Sequence, residues 1–400
     1  YVVNGNHPPL PEPYTRRVAS WDEDLLLPRN WDARGHARGI LAPGGYIARV
    51  NPEGDRWEIV SMGYRNTYDI AVNEHGELFA YDSDMEWDMG MPWYRPTRIL
   101  HAVSGSDYGW RSGSGKWKDY YEDSLPATLN IGPGSPTGLL FGTGAKFPAR
   151  YQRALFALDW TFGTIRAVHL TPKGASYTAE AEEFVSGSPL PLTDAVIGPD
   201  GHMYFLTGGR GTQSHLYRVV YRGDESTAPA EPVDDPQARR AREQRRQLEA
   251  FHGRQDPQAV DAAWPYLAHE DRFLRNAARV AVEWQPVDTW AERALNERRP
   301  QARITALVAL ARSDSIGAYR DEAIASLMEM DPAALSADQK LGYLRALSLV
   351  FMRMGDPNDE QRTQIADTLQ RLLPDEDARV NTELIRALVY LEDPRVIDKA

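Results

Sequence analysis

The sequence predicts two structural classes in succession: an all-β propeller, followed by an all-α stack of HEAT-like helical repeats. Before residue 221, glycine-containing turns recur beside short aromatic or β-branched runs, which is typical of β-hairpins. From about residue 236, Ala, Leu, Arg, Glu and Gln dominate and glycine becomes scarce, which favours helices. With 400 residues, of which 42% are hydrophobic, the chain is longer than one compact core usually requires, so two or more domains are expected.

The propeller prediction depends on a repeated unit of a turn and a strand. The turns that define this unit lie at residues 51–54, 73–76, 172–174 and 198–201. Repeated four-stranded units of roughly 40 to 45 residues are typical of propeller blades, so residues 1–221 would hold about four or five of them. A β-sandwich is the alternative that this periodicity also allows.

The second half of the chain is predicted to contain a polar linker followed by helices. Residues 222–236 carry three prolines and no periodic apolar set, which predicts a linker. Within residues 237–400, four segments share Arg or Leu followed by small and aliphatic residues, namely 274–281, 302–310, 341–349 and 382–389. This recurrence indicates HEAT-like pairs of helices, and because such stacks usually bind other proteins, a protein partner is expected here.

Composition excludes several classes of function. A formal net charge of −12 argues against nucleic acid as a partner, because phosphate binding needs a concentrated basic surface. Cysteine is absent, so disulfides, thiolate metal sites and covalent haem attachment within this chain are excluded. No apolar run approaches the roughly eighteen residues of a membrane span. Since Tyr1 is not an initiator methionine and the sequence stops inside a helical pattern, we expect a fragment that lacks both ends.

Several short motifs follow one another in an order that resembles the soluble quinoprotein glucose/sorbosone dehydrogenases. Residues 63–69, Gly-Tyr-Arg-Asn-Thr-Tyr-Asp, are similar to the family's Gly-x-Arg-Asn-Pro-x-Gly signature, and residues 108–110 to its Tyr-Gly-Trp. Residues 135–148 resemble its Ser-Pro-Ser-Gly-Leu-x-Phe blade, and residues 193–218 its last blade. The resemblance covers about residues 1–221 and implies a six-bladed propeller that is truncated at its amino-terminal side.

The detailed sequences of residues 87–96 and 208–213 resemble those of large proteins of Planctomycetes-type bacteria. In those proteins a dehydrogenase propeller precedes HEAT-like repeats and then a cytochrome c domain. The resemblance therefore implies a periplasmic or cell-surface location, with electrons passing to a cytochrome c domain or another acceptor. Haem would belong only to a domain missing from this chain.

The resemblance implies that the protein oxidises a carbohydrate-like alcohol, with pyrroloquinoline quinone and calcium bound to it. Arg65 and Asn66 fall on the family's cofactor-facing pair, and the guanidinium would stabilise an anionic reduced quinone oxygen. Alternatively, Arg65 has a structural role and holds two blades together by donating hydrogen bonds to backbone carbonyls. Arg210 would supply a further positive charge to the cofactor, or would simply belong to a glycine-rich loop that closes a blade.

The chain also departs from the family pattern. The basic residues that hold the quinone carboxylates in the family would fall near Thr161, Pro191 and Thr193, none of which carries a positive charge. The acid that supports the family's catalytic histidine would fall near Asn6, and that histidine would precede the first residue. The catalytic residues are therefore left unassigned.

A run of carboxylates directly after a predicted strand is the candidate metal site. Its four acids stand at alternate positions: Asp82, Asp84, Glu86 and Asp88. Oxygen ligands at this spacing suit calcium, and the family's calcium loop follows the same strand. The alternative is a set of solvated acids or acids paired with Arg95 and Arg98.

Two further groups of residues admit a functional and a structural interpretation. Five tryptophans would form a sugar-stacking surface or pack between blades: Trp87, Trp93, Trp110, Trp117 and Trp160. Of these we expect Trp93 and Trp117 to be the more exposed. Asp69 and Asp194 occupy equivalent positions of the repeat, which favours a hydrogen bond that stabilises a blade over a catalytic role.

Two functions remain open from the sequence. The first is an oxidoreductase subunit, as the resemblance implies. The second is a non-catalytic propeller that binds carbohydrate or protein and carries a helical-repeat arm. Phosphate-binding loops, Gly-x-Ser-x-Gly elbows and His-Glu-x-x-His pairs are absent from the sequence, so kinase and hydrolase functions lose support.

Overall fold

A computed structural model describes residues 1–83, 85, 88–397 and 399, and it places the strands before the long helices. The strands of this described part are β1 (Val2–Asn4), β2 (Tyr14–Arg16), β3 (Gly45–Val50), β4 (Trp57–Tyr64), β5 (Ile70–Val72), β6 (Leu78–Asp82), β7 (Thr97–His101), β8 (Leu129–Gly132), β9 (Pro136–Phe141), β10 (Leu155–Asp159), β11 (Thr164–Lys173), β12 (Ser176–Ser186), β13 (Leu192–Ile197), β14 (Met203–Gly209) and β15 (Thr212–Val219). The helices are α1 (Ala149–Gln152), α2 (Pro236–Glu249), α3 (Ala259–Ala263), α4 (Arg272–Glu283), α5 (Ala291–Leu295), α6 (Pro300–Ser313), α7 (Arg320–Met328), α8 (Ala337–Leu349), α9 (Asp359–Leu372) and α10 (Ala378–Tyr390).

The strands form four separate sheets. Their orders are β1-β3-β4-β2, β5-β6-β7-β8, β9-β10-β11-β12 and β13-β14-β15. All pairs are antiparallel except β2 with β4, and in the last three sheets each strand pairs with its neighbour in sequence. The predicted turns at 51–54, 73–76 and 198–201 connect paired strands, and each ends in a glycine with positive φ, as a tight hairpin requires.

The first strands of the last three sheets lie side by side. The Asp69 carboxylate, just before β5, accepts a hydrogen bond from the amide of Leu139 in β9 at 2.8 Å. Thr137 in β9 donates to the carbonyl of Leu192 in β13 at 3.0 Å. Successive sheets that contact through their first strands are the arrangement expected of propeller blades. The prediction of sheets followed by helices is confirmed, whereas the six-bladed count stays a prediction.

The long helices begin with side-chain caps and bury broad apolar faces. Ser336 and Gln339 form a capping box at the start of α8, and Asn358 and Gln361 form another at the start of α9. Every residue of α6 from Ala302 to Arg312 is buried. A helix buried on all sides belongs to the interior of the molecule, which is why α6 contacts both α4 and α8. Their assignment to HEAT-like repeats stays a prediction.

The helices pack directly on the sheets. One apolar core runs from Leu78 and Leu100 on the strands to Trp264 and Phe273 on the helical side. The ring of His101 in β7 stacks on Phe273, with 5.7 Å between ring centroids. The two predicted domains therefore share a hydrophobic core.

Buried ion pairs reinforce this junction. Helical arginines meet carboxylates of the strand-containing half: Arg275 with Glu122 at 2.8 Å, Arg312 with Asp123 at 3.2 Å, Arg345 with Asp123 at 2.8 Å and Arg353 with Asp24 at 2.6 Å. Burial alone would raise the pKa of Asp123, but the charges of Arg345 and Arg312 hold it below its ordinary value. The carboxylates at the junction are therefore ionised and paired.

The stretch between the last strand and α2 is fastened to the third sheet. The buried side-chain amide of Gln152 donates to the carbonyl of Ala228 at 2.8 Å and accepts the amide of Ala230 at 2.9 Å. Within the described residues, no helix is long and apolar enough to cross a membrane.

Candidate functional site

The predicted Arg65–Asn66 pair lies in a turn that the buried Asp82 carboxylate holds in place. Asp82, at the end of β6, accepts the backbone amides of Arg65 at 3.2 Å and Asn66 at 2.9 Å, and the hydroxyl of Thr67 at 3.0 Å. Arg98 in β7 donates to the same carboxylate at 3.3 Å. Asp82 therefore fixes the backbone from which the Arg65 and Asn66 side chains extend.

The Arg65 guanidinium is oriented by a loop histidine and a serine. Its Nη1 donates to Ser83 Oγ at 3.2 Å, and its Nη2 lies 2.9 Å from His36 Nε2. A guanidinium only donates, so His36 Nε2 accepts this hydrogen bond and the ring proton lies on Nδ1. The Asp32 carboxylate accepts the His36 amide at 2.9 Å, which places the ring. His7 meets the His36 ring edge-on, with 5.9 Å between centroids.

Two donors of this group are buried without a hydrogen-bond acceptor among the described residues. They are Arg65 Nε and Asn6 Nδ2. The two residues are adjacent, because the Asn6 amide donates to the Arg65 carbonyl at 2.8 Å. Asn66 is exposed beside them. Buried donors that lack an acceptor are costly, so the arrangement suits a ligand that is rich in oxygen atoms and carries negative charge.

These contacts bear on the alternative structural role of Arg65. The structural alternative expects the Arg65 guanidinium to donate hydrogen bonds to backbone carbonyls of two blades. Among the described residues it donates instead to the side chains of Ser83 and His36. The half-buried side chain belongs to a polar group together with Ser83 and His36.

The candidate calcium ligands that the structure describes have separate partners. Asp82 is engaged with the Arg65 turn, and Asp88 is buried in an ion pair with Lys116 at 2.7 Å. Asp84 and Glu86 lie outside the described residues. Across the described part of the chain, no group of three or more His, Asp or Glu side chains has the geometry of a metal site. Calcium stays a prediction.

Arg210 occupies the turn between β14 and β15 with a positive φ of 48°. Its guanidinium lies 5.1 Å from the centre of the Trp160 ring. Thr161, which follows Trp160, donates to Ser135 Oγ at 2.7 Å. No contact joins Arg210 to Arg65 in the part of the chain that the structure describes.

The tryptophan predictions have mixed outcomes. The expected exposure of Trp117 is wrong: the side chain is 1% exposed, and two guanidinium groups flank its ring at 4.1 and 4.7 Å. Trp110 is also fully buried, whereas Trp93 and Trp160 are half-buried. Trp87 lies outside the described residues. Trp117 is buried because the helices cover the loop that carries it, which the local sequence does not reveal.

Asp69 stabilises the contact between sheets, as predicted. It joins β5 to β9 through the amide of Leu139. Burial raises the pKa of Asp69, and the neighbouring charge of Asp194 adds to this effect. Asp194 itself accepts the amide of the next residue, Ala195, at 2.8 Å.

His7 and His36 are the site residues that the sequence did not indicate. Their separation from Arg65 along the chain forms no recognisable spacing, and only folding brings the three together. The family resemblance implies a catalytic base before the first residue, whereas the structure places His36 on Arg65 and His7 against the ring of His36. The one signal was the Asn-Gly-Asn-His sequence at residues 4–7, near the position of the family's supporting acid.

Comparison with known proteins gives neither a matching family model nor a matching curated protein. Similarity to solved structures is partial. A glucose dehydrogenase-type oxidoreductase of Thermus thermophilus is 22% identical, with a TM-score of 0.37 over 44% of this chain and 56% of that one. Aldose sugar dehydrogenase from Streptomyces coelicolor, in its PQQ-bound form, is 18% identical, with a TM-score of 0.33 over 44% of this chain and 51% of that one.

The soluble aldose sugar dehydrogenase of Escherichia coli, in its apo-form, is 19% identical, with a TM-score of 0.36 over 43% of this chain and 50% of that one. The chain thus spans about half the length of each of these three proteins. Identity at this level does not carry an activity from those proteins to this chain.

Proposed function

We propose that this chain is part of an oxidoreductase of the quinoprotein sugar dehydrogenase type, which oxidises a carbohydrate-like alcohol with pyrroloquinoline quinone. The observation that carries the proposal is the Arg65 guanidinium, held by Ser83 and His36 beside the exposed Asn66. The ordered motifs of residues 63–218 support the same activity.

The donor set suits a tricarboxylate quinone. Arg65 Nε and Asn6 Nδ2 are buried donors of this turn that lack an acceptor among the described residues, and with Asn66 they would hold its oxygen atoms. Arg210 would offset carboxylate charge beside Thr161. When bound, the quinone would accept the hydride that leaves the alcohol carbon. The protein side chains would orient it and stabilise negative charge on oxygen.

Removal of the alcohol proton requires a base near Arg65. His36 Nε2 accepts a hydrogen bond from Arg65, so it is occupied in this arrangement. His7 is exposed and lies edge-on to His36, and no hydrogen bond engages its ring within the described residues. His7 is therefore the proton acceptor in our proposal, and His36 positions Arg65.

Further parts of the proposal come from the sequence resemblance. They comprise a six-bladed propeller, calcium held by the acids after β6, and a periplasmic or cell-surface location. Electrons would leave through a cytochrome c domain or another acceptor, and the HEAT-like helices would bind a protein partner.

The test is calorimetric titration of the 400-residue chain with pyrroloquinoline quinone, with and without calcium. We expect calcium-dependent binding that Arg65→Ala weakens roughly ten- to a hundredfold, because a hydrogen bond to a charged group contributes about 1.5–3 kcal/mol. The control is Arg218→Ala, an exposed arginine on β15. Arg65→Ala should leave the melting temperature unchanged.

Lower thermal stability of Arg65→Ala, without a change in quinone affinity, would instead assign a structural role to Arg65. Absence of binding by the unaltered chain would favour the second function, a propeller that binds carbohydrate or protein without catalysis. The uncharged Thr161, Pro191 and Thr193 are the observation that favours this second function.

A further inference from the structure

A cavity of about 270 Å³ lies where the outer strand of the second sheet meets the last long helix. Asn130 on β8 and Arg386 on α10 form two of its walls, and the loop that contains Trp93 forms a third. None of Arg65, Asn66 or the two site histidines lines it. The cavity therefore does not include the residues proposed to hold the cofactor, although Arg98, which donates to Asp82, is part of its wall.

The wall of this cavity is rich in positive charge. Five basic side chains line it: Arg95, Arg98, Lys116, Lys118 and Arg386. One carboxylate, the exposed Asp119, is also part of the lining.

Ion pairs offset part of that charge. Arg98 is paired with Asp82 at 3.3 Å and Lys116 with Asp88 at 2.7 Å. Arg386 contacts Glu383, one turn earlier on α10, at 3.2 Å.

Lys118 differs from these three basic residues. Among the described residues its ammonium forms neither an ion pair nor a hydrogen bond. Arg95, its neighbour in the wall, donates to the carbonyl of Tyr108 at 3.0 Å. The half-buried Lys118 therefore has donors that a ligand in the cavity can use.

The pKa of Lys118 reflects this environment. Burial lowers it, and the charge of Arg386 lowers it further, with a smaller contribution from Arg95. Glu383 and Asp119 act in the opposite direction without reversing the shift. An anion in the cavity would favour the charged form of Lys118.

Two buried donors in the lining also lack an acceptor among the described residues. They are the indole Nε1 of Trp93 and the Nε of Arg98. An oxygen-bearing ligand would accept from such donors and remove the cost of leaving them unpaired. The indole face of Trp93 is flat and apolar, and such a face packs well against a sugar ring.

We propose that this cavity binds an acidic sugar of monosaccharide size, with its carboxylate or sulfate near Lys118 and Arg386 and its ring against Trp93. The proposal does not rest on quinone chemistry, because the cavity and the Arg65 site share no residue among those that hold the proposed cofactor. The volume corresponds to about nine water molecules at roughly 30 Å³ each, which suits one pyranose.

The experiment is calorimetric titration of the 400-residue chain at low ionic strength with sodium glucuronate, glucose 6-sulfate, glucose and sodium sulfate. We expect the two acidic sugars to bind and neutral glucose not to bind. Whichever acidic sugar binds more tightly identifies the group as carboxylate or sulfate. Lys118→Gln should weaken its binding about tenfold through loss of one charge-assisted hydrogen bond.

Two variants complete the test. Lys173→Gln removes an exposed lysine of the β11–β12 hairpin and should leave binding unchanged. Trp93→Phe keeps an aromatic ring but removes the indole donor, and should weaken binding several-fold. Equal binding of glucose, equal binding of inorganic sulfate, or unchanged affinity in Lys118→Gln would each overturn the proposal. Circular dichroism of each variant verifies that it is folded.

Discussion

The His101 ring lies fully buried between Ser176 Oγ at 2.9 Å and Glu77 Oε2 at 2.7 Å. Burial lowers the pKa of His101 to about 4, although its hydrogen bond with Glu77 opposes this shift. The ring is therefore neutral at pH 7, with Nε2 donating to the carboxylate and Nδ1 accepting from the serine. His252 is equally buried, and burial lowers its pKa to about 3.

These two histidines predict a dependence of stability on pH. In the unfolded chain each would titrate near pH 6.5, so between pH 6.5 and 4 the unfolded state binds more protons. Stability should therefore fall as the pH drops through this window, by on the order of 1 kcal/mol per pH unit for each histidine. Above pH 6.5 neither state is protonated and the effect is absent.

Urea unfolding at pH 7 and pH 5 measures this dependence. His101→Gln should reduce the difference between the two pH values, whereas substitution of the exposed His215 by Gln should not. An unchanged difference in His101→Gln would show that His101 is not the source.

At the scale of elements, the short helix α1 holds the stretch between β15 and α2 in place. Its last residue, Gln152, bonds through both ends of its amide to the stretch between β15 and α2. The composition of residues 222–236 predicts a linker, and this contact attaches part of it to the third sheet. A polar segment is thus held by one buried side chain.

Gln152→Ala should release this stretch. Proteolysis requires a segment to leave the surface, so cleavage by a glutamate-specific protease after Glu225 should accelerate several-fold. Mass spectrometry of the fragments over time measures the rate. Gln213→Ala, at an exposed position of β15, is the matched control. Equal cleavage rates in the two variants would contradict the role assigned to Gln152.

At the scale of the whole molecule, the sheets and the helices are joined by a common core and by buried ion pairs. Asp123 is fully buried and serves both Arg312 and Arg345. Structures that share a core and paired charges are expected to unfold together.

We accordingly predict a single calorimetric transition for the 400-residue chain. Asp123→Ala leaves two buried guanidinium groups without that carboxylate, which should cost about 3–5 kcal/mol and lower the temperature of the whole transition. The matched control is Asp224→Ala, at an exposed position. Two resolved transitions, with only one of them shifted by Asp123→Ala, would show that the halves unfold independently.

A family resemblance selected Arg65 as a candidate site residue, whereas the sequence by itself determined the order of sheets and helices and the hairpin turns. These features depend on neighbours in the chain: glycines at Gly54, Gly76 and Gly201 adopt positive φ, and apolar periodicity distinguishes strands from helices. A hairpin turn or a periodic pattern of apolar residues involves only residues close in sequence, so it can be predicted without knowledge of the tertiary structure.

The tertiary structure alone decided which distant residues meet. It placed His36 on Arg65, paired Asp82 with Arg98 and Asp88 with Lys116, and buried Trp117 beneath the helices. Each of these outcomes depends on how sheets and helices pack across long separations in sequence. The chemistry of a carboxylate or an indole is the same before and after folding, but the partner that satisfies it is chosen by packing.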